Sequence, residues 1–381
     1  MIDKEGLTRA GDIRIDQLTL IGSNNVIVDL NEFLVELNIY EDIFSNYLHG
    51  NIVLTDSRNL IEKLNLHCEE LLIVKLRTPT FDDTSVIQKT FRTYKISDRN
   101  IVRDNNTQNF ILHFASTELF LDILLPLFVP FQGEISKVVE SIFQDYIATS
   151  RNYEYEETSK NIAAKERLSS LIILNEPGNK VKFVSPGWSP FRCINWLATK
   201  SIPKEGQAKN YLFFESNKSH YFGSLEYIFK DAYENKNIIG TYSISTSNLP
   251  ENDRTKRLNR EFFLARNTEM VNNTDQVQIF TNGYLANRLI FLDVHNKKYE
   301  AIDYDYVEEY KKQYHTSGPG DQAIPPFSEN SLRNFASSIS FYPKNPKLFD
   351  KFSDNVNEKM DVIYGNRKSS LLDLSNLKIG G

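Results

Sequence analysis

Residues Leu37 to Leu64, LNIYEDIFSNYLHGNIVLTDSRNLIEKL, carry a strand, a turn, a second strand and the start of a helix in immediate succession. The first strand is the cleanest in the chain. Phe33, Val35, Leu37 and Ile39 share one face and Leu34, Glu36, Asn38 and Tyr40 the other, the period of two that a half-buried strand requires. Gly50 stands where the chain turns into its next strand, Asn51–Thr55, and can relieve a bulge or bend at which a Cβ would clash. Asp56 or Ser57 can then accept the free amide hydrogens of a helix over Ser57–Leu64, whose apolar stripe is Leu60, Ile61 and Leu64.

Working outward, the same alternation recurs at Ile13, Ile15, Leu18 and Leu20, before a Gly22–Asn25 turn cluster, and at Leu71–Arg77, Thr90–Ile96 and Asn109–Ala115. Five or six strands at even spacing with half-polar faces predict an antiparallel sheet that closes into a barrel, because each open edge would leave a row of unpaired N–H and C=O groups.

At Ser116-Thr117 the pattern turns helical. Thr117 is positioned to cap a helix through Leu119, Phe120, Ile123 and Leu124 that Pro126 breaks. A second helix, Glu134–Ala148, has a wide apolar face. Arg151–Lys180 reads as polar and irregular, with one short helix at Ala163–Leu171. Ser189-Pro190 reads as a helix start, with Ser189 as N-cap and Pro190 at the first helical position. Strands are expected at Asn210–Glu215, His220–Tyr227, Ile238–Ser245, Leu285–Val294, Lys298–Val307 and Ser337–Tyr342. Asn248–Arg260 is a charged connector, Thr316–Pro326 a Gly/Pro linker, and Asp354–Leu374 a helix.

The chain has 381 residues, 40% of them hydrophobic and 25% charged, enough for two or three domains of ~150 residues with real cores. Its net charge of −6, from 44 basic and 50 acidic residues, argues against a dedicated nucleic-acid binder. Cys68 and Cys193 make no disulfide framework and read as small hydrophobes. The longest apolar run, Leu119–Phe131, is too short and too interrupted to cross a bilayer, and Met1–Ala10 lacks the apolar stretch of a signal peptide. The histidines show no zinc spacing, and there is no G-x-S-x-G elbow, P-loop or G-x-G-x-x-G. The nearest approach to a catalytic cluster is Tyr299–Glu309, where Asp303 and Asp305 share a strand face and Glu308 follows. Such carboxylates suit a glycosidase or a hard cation, but acids alternating with Ile302, Tyr304 and Tyr306 are also the ordinary pattern of a half-solvated strand. With 12% aromatics, many on strands, the profile suits large interfaces better than turnover.

The run from Leu37 to Leu64, followed by EELLIVKLRTP at Glu69–Pro79, resembles the first barrel of the central baseplate hub protein of contractile-tailed bacteriophages. Carrying the likeness are the aromatic–acidic pair Tyr40-Glu41, the apolar turn Ile43-Phe44, Gly50 opening the next strand, and Asp56-Ser57 launching the helix. It reappears in patches at His220–Phe229 and Asn282–Tyr306.

The resemblance implies an α+β, β-rich chain of two antiparallel barrel-like tube domains with an inserted mixed region. Residues 1–116 would form the first barrel, 117–209 a helical or mixed middle domain, and 210–247 the start of the second barrel. Residues 248–353 would form the insertion with its linker at 316–326, and 354–381 the return to the second barrel. It further implies a non-enzymatic homotrimer without cofactor or metal, located in the virion tail baseplate and assembled in the host cytoplasm. This ring would join a six-fold tail tube, or a tube-initiator protein, to a three-fold spike among other baseplate proteins, with DNA passing through unbound. Tyr40, Glu41, Phe44, Gly50 and Asp56 are then architectural or interface residues. Where the family continues with several strands after the helix matching Asn366–Leu374, only Asn376–Ile379 follows. The expectation is either a truncated chain or a second barrel completed differently, by a partner for example. The rival readings are a tail-associated glycan hydrolase using Asp303, Asp305 and Glu308, or a host-surface adhesin. Related modules occur in type VI secretion spikes.

Overall fold

The computed structural model describes residues 13–22, 26–77, 86–102, 107–148, 170–204, 210–235, 286–294, 297–305 and 338–343. The first of its folded parts is a seven-stranded antiparallel sheet. In chain order it contains β1 (Arg14–Ile21), β2 (Ile27–Asp29), β3 (Leu34–Tyr40), β4 (His49–Asp56), the helix α1 (Leu60–Lys63), β5 (Leu71–Arg77), β6 (Ile87–Val102) and β7 (Thr107–Ser116). The spatial order is β2-β1-β5-β6-β7-β4-β3.

The expected barrel takes the form of a curled half-barrel. Among the described residues β2 and β3, the outermost strands, share no ladder, although they are consecutive in sequence. The corner between them bonds to both ends of the sheet: Leu30 N donates to Leu18 O on β1 at 2.8 Å, and Thr55 N on β4 donates to Phe33 O at 2.9 Å. The backbone itself therefore bridges the edges that a closing ladder would otherwise have to satisfy. Register shifts between β1 and β5, β3 and β4, and β6 and β7 supply the additional twist that curls the sheet.

One of these shifts corrects the predicted alternation of β3. The irregularity between Leu34 and Glu36 turns Val35 out into solvent, whereas Leu34, Leu37 and Ile39 pack on the core. That core runs along the inside of the curl, through Leu18, Leu20, Ile52, Leu54, Leu72, Phe91, Leu112 and Phe114, with the Phe91 and Phe114 rings 4.8 Å apart.

A second core is built from the residues that follow. Here α2 (Thr117–Leu124) precedes β8 (Pro130–Glu134), α3 (Ile135–Phe143) with a π-helical turn over Gln144–Ala148, β9 (Leu171–Ile173), β10 (Lys180–Val184), α4 (Pro190–Lys200), β11 (Tyr211–Glu215), β12 (His220–Ser224) and α5 (Leu225–Glu234). β8 pairs with β10, and β11-β12-β9 form a three-stranded sheet. Phe143, Ile194, Leu197, Phe213 and Phe222 centre this core. Ser189 caps α4 as expected, its Oγ accepting from Arg192 N with Pro190 behind it.

Three expectations are corrected here. Ser116, not Thr117, is the N-cap of α2, and its hydroxyl serves Leu48 instead of the helix. The strand expected to reach Tyr227 ends at Ser224, whose Oγ accepts from Tyr227 N at 3.2 Å and starts α5. The segment read as irregular contains β9 and the start of β10. Both are too short to display a period, and β8 begins on a proline, tolerated as the first residue of an edge strand.

The third part is a small sheet of β13 (Ala286–Asp293), β14 (Lys298–Asp305) and β15 (Ser338–Pro343), in the spatial order β14-β13-β15. The strand expected at 238–245, the helices at 163–171 and 354–374, the connector at 248–260, the linker at 316–326 and the strand at 376–379 lie wholly or almost wholly outside the described residues. No helix among the described residues is long and apolar enough to cross a membrane.

Candidate functional site

The five residues expected to be architectural, Tyr40, Glu41, Phe44, Gly50 and Asp56, fall at one end of the curled sheet and at the helix that follows it. Tyr40 and His49 are paired across β3 and β4 with their rings 5.3 Å apart, and Tyr40 is exposed. Glu41 is exposed too. The turn after it is held by its own hydrogen bonds: Phe44 N donates to Asp42 Oδ1 at 2.9 Å and Ser45 N to Asp42 O at 3.0 Å. Its base is tied to the second part of the protein. Asn46 exchanges amide hydrogen bonds with Asn195 on α4 and donates to Phe213 O. The apolar pair Ile43-Phe44 is thus displayed to solvent, Phe44 at 62% exposure, on a base that does not move freely.

Gly50 and Asp56 act inside. A Cβ on Gly50 would lie 2.5 Å from the Phe114 ring and closer still to the Asn38 carbonyl oxygen of the paired strand. Asp56 is buried and accepts from Arg58 N at 2.8 Å, Leu60 N at 2.6 Å and Gln108 Nε2 at 2.7 Å. Of the two sequence candidates for the start of α1, Asp56 is the acceptor. Asp56→Ala removes all three bonds and leaves buried donors behind, so a loss of about 2–3 kcal/mol in urea unfolding is expected, with Asp56→Asn recovering part of it.

A buried polar group that ties the two cores together was not singled out by the sequence. Glu215, at the end of β11, is buried. It accepts from Leu48 N at 2.7 Å and pairs with Lys89 of β6. His220 Nε2 lies 3.9 Å from the same carboxylate, its ring stacked on Phe213 at 5.5 Å. Glu118 on α2 completes the group: ligand atoms of Glu118, Glu215 and His220 lie within 4.8 Å of one another, all buried. Among the described residues these are the ones that could hold a metal ion, but the Lys89 ammonium already supplies positive charge at the carboxylate such an ion would use. Chemically the cluster is a charge-paired lock between the two cores. Its sequence signal was an acid at an inward position, since Glu215 has the parity of the core residues Tyr211 and Phe213.

The carboxylates of the hydrolase reading are arranged differently. Asp303 is held by Arg288 in a two-pronged pair, Nε–Oδ1 2.6 Å and Nη2–Oδ2 2.8 Å, and the guanidinium pulls its carboxyl below the usual range. A general acid requires the opposite shift. Glu308 lies outside the described residues. Both thiols are raised, chiefly by burial, which disfavours the nucleophilic thiolate; Cys193 is buried as expected, whereas Cys68 is half-exposed. His113 sits on the outer face of β7, bonded to Ser97 at 2.9 Å, and burial lowers its pKa.

No protein-family model matches the chain, and no curated protein matches it. Among solved structures it is similar to the tail protein from Neisseria meningitidis MC58, at 9% identity and a TM-score of 0.44 over 94% of this chain and 76% of that one. It is also similar to the 43 kDa tail protein of prophage MuSo2 from Shewanella oneidensis, at 10% identity and a TM-score of 0.32 over 55% and 54% of the two chains. A third likeness is to the Francisella PdpA-VgrG complex in its lidded form, at 13% identity and a TM-score of 0.43 over 89% of this chain and 41% of that one. This chain thus spans only about half or less of the latter two.

Proposed function

We propose that the protein is a structural component of a contractile tail. It would be the hub of the baseplate, three copies forming a ring between the tail tube and the spike and surrounding the channel through which DNA leaves. In this reading residues 1–116 are the first tube barrel and residues 210–247 and 354–381 contribute to a second, so that three chains present six similar units to a six-fold tube. The observation that carries it is the pairing of motif and geometry between Leu37 and Leu64. The residues on which the sequence resemblance rests form the lip of a curled antiparallel sheet, with Gly50 and Asp56 setting its shape and Tyr40, Glu41 and Phe44 displayed to a neighbour. The protein acts by assembly, and the Arg288-bound Asp303 is a surface ion pair.

The test is complementation. Virions made without this chain are expected to lack assembled tails, and Asp303→Asn is expected to restore tails and infectivity as fully as the wild type. Intact tails that fail only in degrading the cell wall, with Asp303→Asn failing to restore that activity, would support the hydrolase reading instead.

A further inference from the structure

Helix α2 is inside out. Its buried residues are Thr117, Glu118 and Asp122, whereas Leu119, Phe120 and Leu121 are only half-buried and Ile123 and Leu124 stand in solvent. The inward carboxylates lie in polar surroundings: Asp122 Oδ1 accepts from Phe191 N at 2.5 Å, at the start of α4, and a Glu118 oxygen lies within 4.8 Å of ligand atoms of Glu215 and His220. A surface helix normally turns the other way, because burying apolar and solvating charged side chains is the favourable arrangement. Part of the long apolar run therefore stands outward, Ile123 at 67%, Leu124 at 72% and Phe128 at 73% exposure, while its Leu127 and Phe131 enter the second core; Val184, on the strand paired with β8, is exposed too, at 66%. Val184 pairs with Pro130, and Phe128 is fixed over Gly187, where a Cβ would come within 2.7 Å of its ring. Four large side chains at this exposure present on the order of 500 Å² of apolar surface, the upper range for a monomer's largest patch. That is more than half of the ~800 Å² each partner contributes to a standard interface.

The patch has a cationic border. Lys182 is the next outward residue along β10 from Val184, and Arg192 lies over Trp188, which bridges to Leu127. The opposite arrangement stands elsewhere on the same chain, where the apolar tip Ile43-Phe44 is flanked by the exposed acids Glu41 and Asp42. We propose that the occupant of the α2 patch is a second copy of this chain, inserting its Ile43-Phe44 turn with Asp42 and Glu41 against the Lys182–Arg192 border. A contact between two different surfaces of one chain is head-to-tail, the type that closes rings. The inference rests on the ring proposed above and assigns its surfaces.

Light scattering on purified protein tests it with Leu124→Glu in the patch and Phe44→Glu in the turn. Both residues are exposed, so circular dichroism should show both variants folded. The wild type is expected to form rings, and each variant alone to associate at least tenfold more weakly. An equimolar mixture should yield dimers and nothing larger, because one intact patch and one intact turn remain. Glu41→Lys should weaken assembly and Lys182→Glu in the same chain should restore it, a version that leaves the Ile43-Phe44 turn and the Asp42 bond that holds it untouched. Three results would each overturn the assignment: a Phe44→Glu chain that assembles like the wild type, a wild type that stays monomeric, or a mixture that stays monomeric. If the ring forms through these surfaces but the chain is absent from tails, the hub reading fails and this inference stands. If tails contain the ring and the variants do not disturb it, the reverse holds.

Discussion

Glu215→Ala is expected to destabilise the protein by about 3–5 kcal/mol, read as a shift of the urea midpoint at neutral pH. Lys89 and Glu215 are both buried, on strands far apart in sequence, and the carboxylate also receives the Leu48 amide. Removing it leaves a buried ammonium without its counter-charge, which costs more than the pair contributes net, because neither ion can regain its hydration. Lys89→Met should cost a similar amount for the mirror-image reason. The double variant Lys89→Met, Glu215→Leu should recover most of the loss, since an apolar pair of similar volume carries no desolvation penalty. The two cores meet at this pair, so the single variants should also split one unfolding transition into two, with the 117–234 region and the 14–116 sheet melting separately. Single variants within 1 kcal/mol of the wild type would show that the pair does not lock the two parts together.

Gly50→Ala is the second large effect, expected to cost ~3 kcal/mol or more, and to lower the yield of folded protein. Overpacking a core usually costs about 1–3 kcal/mol because side chains can shift. Here one obstacle is the Asn38 carbonyl oxygen of the strand paired with β4, which cannot move without parting the β3–β4 ladder, and the other is the Phe114 ring in the core. Gly133→Ala gives the contrast. Its φ of +138° is unfavourable for alanine, but nothing lies within 4 Å of the added Cβ. Strain alone should therefore cost ~1–3 kcal/mol there, read from thermal melts by circular dichroism. Equal losses at the two positions would mean that the close approach at Gly50 is relieved cheaply.

Six strands of the curled sheet were legible because each is long enough to show a period of two and one face is buried; β2, with three residues, was not. The exceptions are local. Val35 points outward because an irregularity beside it resets the alternation, and no alternation pattern reports its own interruption. β8, β9 and β10 were missed because three to five residues cannot establish a period. Ser224 ends a strand and starts a helix, which reads as one apolar run until its hydroxyl is seen to accept from Tyr227 N. Asp56 and Gly50 were found because their partners are near in sequence or because the residue type itself implies the constraint. Glu215 and Lys89 were not, since the charge that makes each acceptable lies in a different part of the chain. α2 was legible as a helix but not in its orientation: Ile123 and Leu124 stand in solvent, and its acids Glu118 and Asp122 are the buried side chains.

A reconstruction of isolated tails, computed without imposed symmetry and with this chain marked by an internal tag, tests the central claim most directly. The account predicts three copies around the tail axis between tube and spike, with the 14–116 sheets arranged about the channel. Tag density away from that axis, on fibres or at the periphery, or tails complete without it, would contradict the account.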